Sequence, residues 1–412
     1  MSTTNNEILI HMDDPKTLEN IYRHDEQRFR AMFVEAYQMR PDALVLKVWN
    51  ERLKESELSK LLLFDRSFII MAILALVSAL VMRLIFFLVD DQIIAPINFL
   101  FALFPFMCLY WILTQTISKR LIWIFVGMLL GLIIYFNFLP SDISDVVLLT
   151  YLHLPIVLWL VWGMSHAGDS FREVSSRMSF LKFNGEFLVL YLLFALAGVA
   201  LTGITLMLFG LLDIDIAEFY FENVVVMGIA GLAIVANHVL RRFGKITQSI
   251  APLLAKIFSP LLLLTLITYL IAMLVLGKNP FVDRDFLIHF NVILVLVLAI
   301  TIYLITERGV NQSTQFMDAL NLVLIACALL INVVALIAMT FRLSSYGITP
   351  NRLTSFVLNI LIMLHLLRIG GASLKFIQRK GTFASVQAAV TSWFPVYGIW
   401  ALIVIVVFPI IF

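Results

Sequence analysis

Residues 67–412 are filled by about eleven long apolar runs, and the gaps between them are alternately rich and poor in lysine and arginine. Each run reaches or approaches the ~20 residues a helix needs to cross the hydrocarbon core. In that solvent a backbone must satisfy its own polar groups, so every run is expected to be helical. The spans are placed at 67–89, 93–117, 121–139, 146–164, 187–212, 222–240, 250–276, 286–306, 316–341, 353–369 and 391–411. With 61% hydrophobic and 14% charged residues, the composition excludes an ordinary soluble domain. The expected fold is all-α: a polytopic transmembrane bundle over residues 63–412, preceded by a small cytoplasmic helical hairpin over residues 1–62.

Orientation follows from the gaps. One side collects Lys47, Arg52, Lys54, Lys60, Arg66, Lys119, Arg120, Arg172, Arg177, Lys182, Arg241, Arg242, Lys245, Arg308, Lys375, Arg379 and Lys380. The other holds Lys278, Arg284, Arg342 and Arg352. Seventeen against four places the richer side, and the N-terminus, in the cytoplasm and the C-terminus outside. The outer gaps carry acids instead: Asp90, Asp91, Asp142, Asp145, Asp213, Asp215, Glu218, Glu222, Asp283 and Asp285. Their spacing matches no calcium loop, so no metal site is assigned to them. The polar first ~60 residues argue against a cleavable signal peptide, and the first span is expected to serve as an uncleaved insertion signal.

Within the leading segment, Asp14-Pro15 suits a helix start. Leu18, Ile21, Tyr22, Phe29, Met32, Phe33 and Ala36 then recur at helical spacing through Gln38. Arg40-Pro41-Asp42 breaks that helix, and a second one carries Leu44, Val45, Val48, Trp49 and Leu53. So small a core is expected to pack on the membrane domain or on a cytoplasmic protein partner.

Polar side chains inside spans are costly and are therefore the first functional candidates. Asp318, Asn321, Asn332 and Thr340 fall on one face of the ninth span. Two readings of this row stay open: a hydrated pathway with Asp318 as an ion or proton ligand, or amides that hold helices together. His365 and Arg368 share a face near the inner end of the tenth span. His153 and His166 lie on different faces of the fourth, too far apart to share a ligand. Arg83 is expected to pair with Asp90, Asp91 or a lipid phosphate, and Gly127-x3-Gly131 suits close helix packing. There is no Walker A loop and no HExxH, GxSxG or CxxC motif, and the two cysteines, Cys108 and Cys327, lie in separate spans. No cofactor, metal or nucleic-acid partner is indicated, and the short loops leave little room for a catalytic domain.

The outer loop before the tenth span departs from the charge rule by carrying Arg342 and Arg352 around Tyr346-Gly347-Ile348-Thr349. Two arginines at adjacent helix ends can grip a phosphate or carboxylate; equally, they can belong to a well-formed turn paired with outer acids. An arginine, then Tyr-Gly-[Leu/Ile]-Thr, then a second arginine after a late span resembles the bacterial multi-spanning families called domain of unknown function 4153 and 4173. The resemblance covers residues 67–412, and its specific part is this loop. It implies a bacterial cytoplasmic-membrane protein and assigns no activity. The leading functional expectation is a permease for a small solute or ion. The alternatives are a sensor or scaffold acting through residues 1–62 and a lipid-handling protein using Arg342, Tyr346 and Arg352.

Overall fold

The computed structural model describes residues 6–12, 14–24, 26–61, 65–88, 94–139, 144–210, 214–243, 284–308 and 316–412, with six isolated positions between 259 and 271. The chain groups into two compact units, Met1–Ile69 and Ile70–Phe412.

Among the described residues the first unit contains the helical stretches α1 (Glu7–Ile10), α2 (Pro15–His24), α3 (Glu26–Met39) and α4 (Leu44–Leu61). The helix expected from Pro15 through Gln38 is helical on both sides of residue 25, which itself lies outside the described residues. Ile8, Leu18, Phe29, Phe33, Ala36, Leu46, Trp49 and Leu53 form its core. On α4 the buried face follows the 46, 49, 53 spacing, so Leu44 and Val48, about half a turn away, stay exposed. Arg52 clamps Glu19 with both guanidinium nitrogens, at 2.5 and 3.1 Å, and lies over the Trp49 ring at 4.5 Å. This joins α2 to α4 by charge and stacking together.

Asp14 caps α2: its Oδ1 accepts from the Lys16 and Thr17 amides at 3.1 and 3.2 Å, and its Oδ2 accepts from the Thr17 hydroxyl at 2.6 Å. The Thr17 hydroxyl bond, then the Thr17 amide bond, hold this carboxyl below its ordinary value. A carboxyl depressed in the folded state stabilises above its unfolded pKa and loses that effect as pH falls through the folded one. Asp14→Ala should therefore reduce hydrogen-exchange protection at the start of α2 at neutral pH, and the difference from wild type should shrink on acidification. A difference independent of pH would count against the cap.

The second unit is a bundle of helices, and among the described residues no strand occurs. In chain order it contains α5 (Arg66–Leu88), α6 (Ile94–Thr114), α7 (Lys119–Asn137), α8 (Asp145–Ala167), α9 (Val174–Gly210), α10 (Ala217–Tyr220) and α11 (Val226–Phe243). There follow α12 (Arg284–Glu307), α13 (Phe316–Tyr346), α14 (Pro350–Ile377), α15 (Phe383–Thr391), α16 (Phe394–Val406) and α17 (Phe408–Ile411). Among the described residues nine helical segments are long and apolar enough to span a bilayer, and the shorter Asn98–Thr114 occupies the second expected run. The run expected at 250–276 lies almost wholly outside the described residues. The molecule is an all-α polytopic bundle.

Helix ends depart from the hydropathy boundaries for a physical reason. Backbone hydrogen bonding continues past the apolar stretch wherever side chains find partners. Thus α9 has 37 residues and begins at Val174 rather than 187, and α14 runs to Ile377. At 1.5 Å per residue α9 is about 55 Å long, well beyond the ~30 Å hydrocarbon core. The last expected run is divided at Trp393, with Pro395 in the first turn of α16. On α13, Leu324, Ala328, Ile331, Ala335 and Ala338 pack against α12 and α14 in the largest core cluster, which α15 also joins. The Gly127/Gly131 packing does not occur among the described residues, where a Cβ at either position would meet nothing within 4 Å.

Candidate functional site

The polar row of the ninth expected span lies on α13, and the structure treats its members differently. Asp318 pairs with Arg308, just beyond α12, at 2.8 Å; the two side chains are 14% and 5% exposed. The Arg308 guanidinium also lies over the rings of Phe376 and Phe383, 4.5 and 4.3 Å from their centroids. A weakly hydrated planar cation suits this setting better than an ammonium would. Asn321 and Asn332 are buried, at 5% and 0% exposure. Thr340 is exposed and its hydroxyl donates to the Leu336 carbonyl of its own helix at 2.8 Å. The buried face is centred on Leu324, Ala328 and Ala335, and Thr340 points about 140° from it.

Asn332 belongs to a buried amide cluster. Its Nδ2 donates to the Asn359 carbonyl on α14 at 3.1 Å, and Asn359 Nδ2 donates to Asn291 Oδ1 on α12 at 2.7 Å. Asn359 Nδ2 also lies 2.8 Å from the Ser355 carbonyl one turn earlier. The cluster links three helices through the core. Asn291 and Asn359 were not selected from the sequence, although an amide inside an apolar run is the signal that selected Asn332. Thr301 on α12, Asn321 and Asn332 on α13 and Asn359 on α14 each have a buried side-chain oxygen with no hydrogen-bond partner among the described residues.

His365 and Arg368 are separated by burial: His365 is 0% exposed, whereas Arg368 is exposed. His365 Nε2 faces the Val390 carbonyl at 3.2 Å, and Nδ1 faces the Tyr397 hydroxyl at 3.0 Å. A carbonyl only accepts, so Nε2 carries the proton and Nδ1 accepts from tyrosine. The ring stacks on Trp393 at 5.6 Å, tying α14 to the break between α15 and α16.

In the outer loop, Arg352 Nη1 donates to the carbonyls of Tyr346 and Gly347 at 2.7 and 2.9 Å, capping the end of α13. Gly347 has φ +78°, a left-handed turn that glycine adopts without strain. Thr349 Oγ1 accepts from the Arg352 amide at 3.4 Å and starts α14. The guanidinium groups of Arg342 and Arg352 lie 6.0 and 5.7 Å from the Tyr346 ring centroid, so the three candidates converge.

Sequence reasoning missed a cluster between α9 and α12. Lys182 Nζ approaches Glu307 Oε2 at 3.7 Å, and Glu186 and Tyr303 stand one turn away on their respective helices. Glu186 lay just outside the expected span 187–212, where a carboxylate reads as a loop residue. Of the partners expected for Arg83, Asp90 and Asp91 lie outside the described residues. Its Nε donates to Asn223 Oδ1 at 2.8 Å, and Nη2 lies 3.4 Å from Glu222, both on the π-helical turn Phe221–Val225 before α11. His153 bonds the Leu149 carbonyl at 2.8 Å, and His166 sits among Trp111, Phe180 and Phe183. No group of three or more His, Cys, Asp or Glu side chains suited to a metal occurs among the described residues. A cavity of about 200 Å³ beside α8, lined by Leu160, Met164, Arg177, Phe180 and Phe394, includes none of the residues selected from sequence.

These features define a multi-pass α-helical membrane protein with ionisable and amide side chains buried between its helices. No family model, curated protein or solved structure matches the chain.

Proposed function

We propose that this protein is a permease for a small solute or ion, with a route along the seam between α12, α13 and α14. The supporting observation is the set of buried oxygens on Thr301, Asn321, Asn332 and Asn359 that lack a protein partner among the described residues. A dry unpaired polar group costs on the order of 1–3 kcal/mol by protein mutational data, and more in a hydrocarbon reference. Water or a polar solute in the seam removes that cost. The row begins at the Arg308–Asp318 pair, near the lysine- and arginine-rich end of the bundle. The same proposal places the chain in a bacterial cytoplasmic membrane, N-terminus inside, and in the family whose loop Arg342–Arg352 resembles.

Cysteine accessibility tests the route. With Cys108 and Cys327 replaced, single cysteines at Ala328, Asn332 and Ala335 should react with a charged, membrane-impermeant methanethiosulfonate. A cysteine at Val333, which is 46% exposed on the outer side of α13, should not. Unreactive cysteines along the whole buried face would mean that the amides serve helix packing. A scaffold role has one observation in its favour: Val34, Met39, Leu44 and Val48 of the first unit are exposed, offering an apolar surface to a partner.

A further inference from the structure

We propose that Lys182, Glu186 and Glu307 form a binding site for one monovalent positive charge, a proton or an alkali ion, between α9 and α12. The charge count is the starting point: one lysine stands against two carboxylates, leaving a surplus of one negative charge. Lys182 and Glu186 are four residues apart on α9, and Tyr303 and Glu307 are four apart on α12, so each pair shares a helix face. Gly185 lets the helices meet closely, since a Cβ there would overlap the edge of the Tyr303 ring. The two faces therefore converge on one spot.

The environment makes the surplus expensive. Glu186 is 7% exposed, and the Glu307 side chain is 7% exposed. An uncompensated buried carboxylate keeps a large desolvation penalty even after relaxation. Oε1 of each glutamate and the Tyr303 hydroxyl have no hydrogen-bond partner among the described residues. Among the described residues the charges acting on Glu186 are Lys182 and Glu307, and both carboxylates act on Tyr303.

The neighbouring described elements do not supply the missing cation. Arg308 neutralises Asp318. α15, packed against both α9 and α12, carries no ionisable side chain. On α11, Arg241 bonds Thr114 and lies over Trp111, His238 meets Tyr110, and Arg242 is not among the charges acting on Glu186 or Glu307; His166 of α8 lies within an aromatic nest. Lys182, whose side chain is 40% exposed, marks the side from which an ion can enter. With two carboxylates and a phenol as donors, the site suits a single charge.

This site is separate from the proposed seam, and its test needs no transport assay. The full-length protein in lipid nanodiscs is treated with dicyclohexylcarbodiimide, which reacts with protonated carboxyls in apolar surroundings, and the adduct is located by mass spectrometry. Thermal unfolding of wild type and Glu186→Gln is followed in parallel, in sodium or choline buffers at acidic and alkaline pH. A proton site should label at Glu186 or Glu307, less so as pH rises, with sodium and choline equivalent. An alkali-ion site should lose the label when sodium replaces choline at constant pH. In either case Glu186→Gln, which balances the charges, should abolish the corresponding response of the melting midpoint. Either signal supports the site. Absence of both a pH- or sodium-dependent label and a Glu186-dependent melting response would overturn it.

Discussion

Asp318→Ala should lower the thermal midpoint of the full-length protein sharply, because it leaves the buried Arg308 guanidinium without its carboxylate. Removing one partner of a buried ion pair costs about 3–5 kcal/mol, whereas replacing both with apolar groups of similar volume is close to neutral. The Phe376 and Phe383 rings would still face the guanidinium, and ring faces offset only part of the attraction lost with the carboxylate. Asp318→Asn keeps the shape and one acceptor oxygen, so it should fall between wild type and alanine. The double variant Arg308→Met, Asp318→Leu should recover most of the loss. If Asp318→Ala melts like wild type, the pair does not hold α13 to the end of α12. If the double variant is as unstable as the single one, the carboxylate has another structural role.

Gly185→Ala should also destabilise, against the usual trend for a glycine within a helix. Replacing a helical glycine by alanine ordinarily gains about 1 kcal/mol. At Gly185 the new methyl would overlap Tyr303 Cε2 and fall 2.9 Å from Cδ2, so the ring or the whole helix must move. Overpacking of this kind costs about 1–3 kcal/mol. Gly198 lies on the same helix, and a methyl group there would meet nothing within 4 Å among the described residues, so Gly198→Ala should be neutral or stabilising. Tyr303→Ala in the Gly185→Ala background should restore part of the loss. Thermal midpoints of wild type and these three variants decide the matter: equal effects at Gly185 and Gly198 would remove the close contact from the account.

Much of the bundle was legible because hydrocarbon imposes a coarse rule that a run of apolar residues obeys. The runs at 67–89, 121–139 and 316–341 correspond to α5, α7 and α13 with shifts of a few residues at most ends. The same rule obscured the start of α9. Arg177, Lys182 and Glu186 look like loop residues in any local window, and Glu186 and Lys182 meet their counterpart Glu307 only through an approach from far along the chain. Asn332 was visible as a polar residue in an apolar run, yet its partners Asn359 and Asn291 depend on how three helices stack. Thr340 shows the limit of judging a helix face from four polar positions. The buried face is set by Leu324, Ala328 and Ala335, and it passes Thr340 by. In the first unit, periodicity identified Leu18, Phe29, Phe33, Ala36, Trp49 and Leu53 as core, but not the buried Ile8 and Leu46.

The central claim is that the seam beside α13 carries water or a polar solute through the bundle. Its most direct measurement is the reaction rate of Asn332→Cys with a charged, impermeant thiol reagent, set against that of Val333→Cys in the same cysteine-free background. The route predicts fast modification at 332, which is 0% exposed and is reached only if the seam holds water, and slow modification at 333, which is 46% exposed on the outward apolar face. Modification at neither position, with both variants folded, would contradict the route and leave Asn332, Asn359 and Asn291 as a packing device.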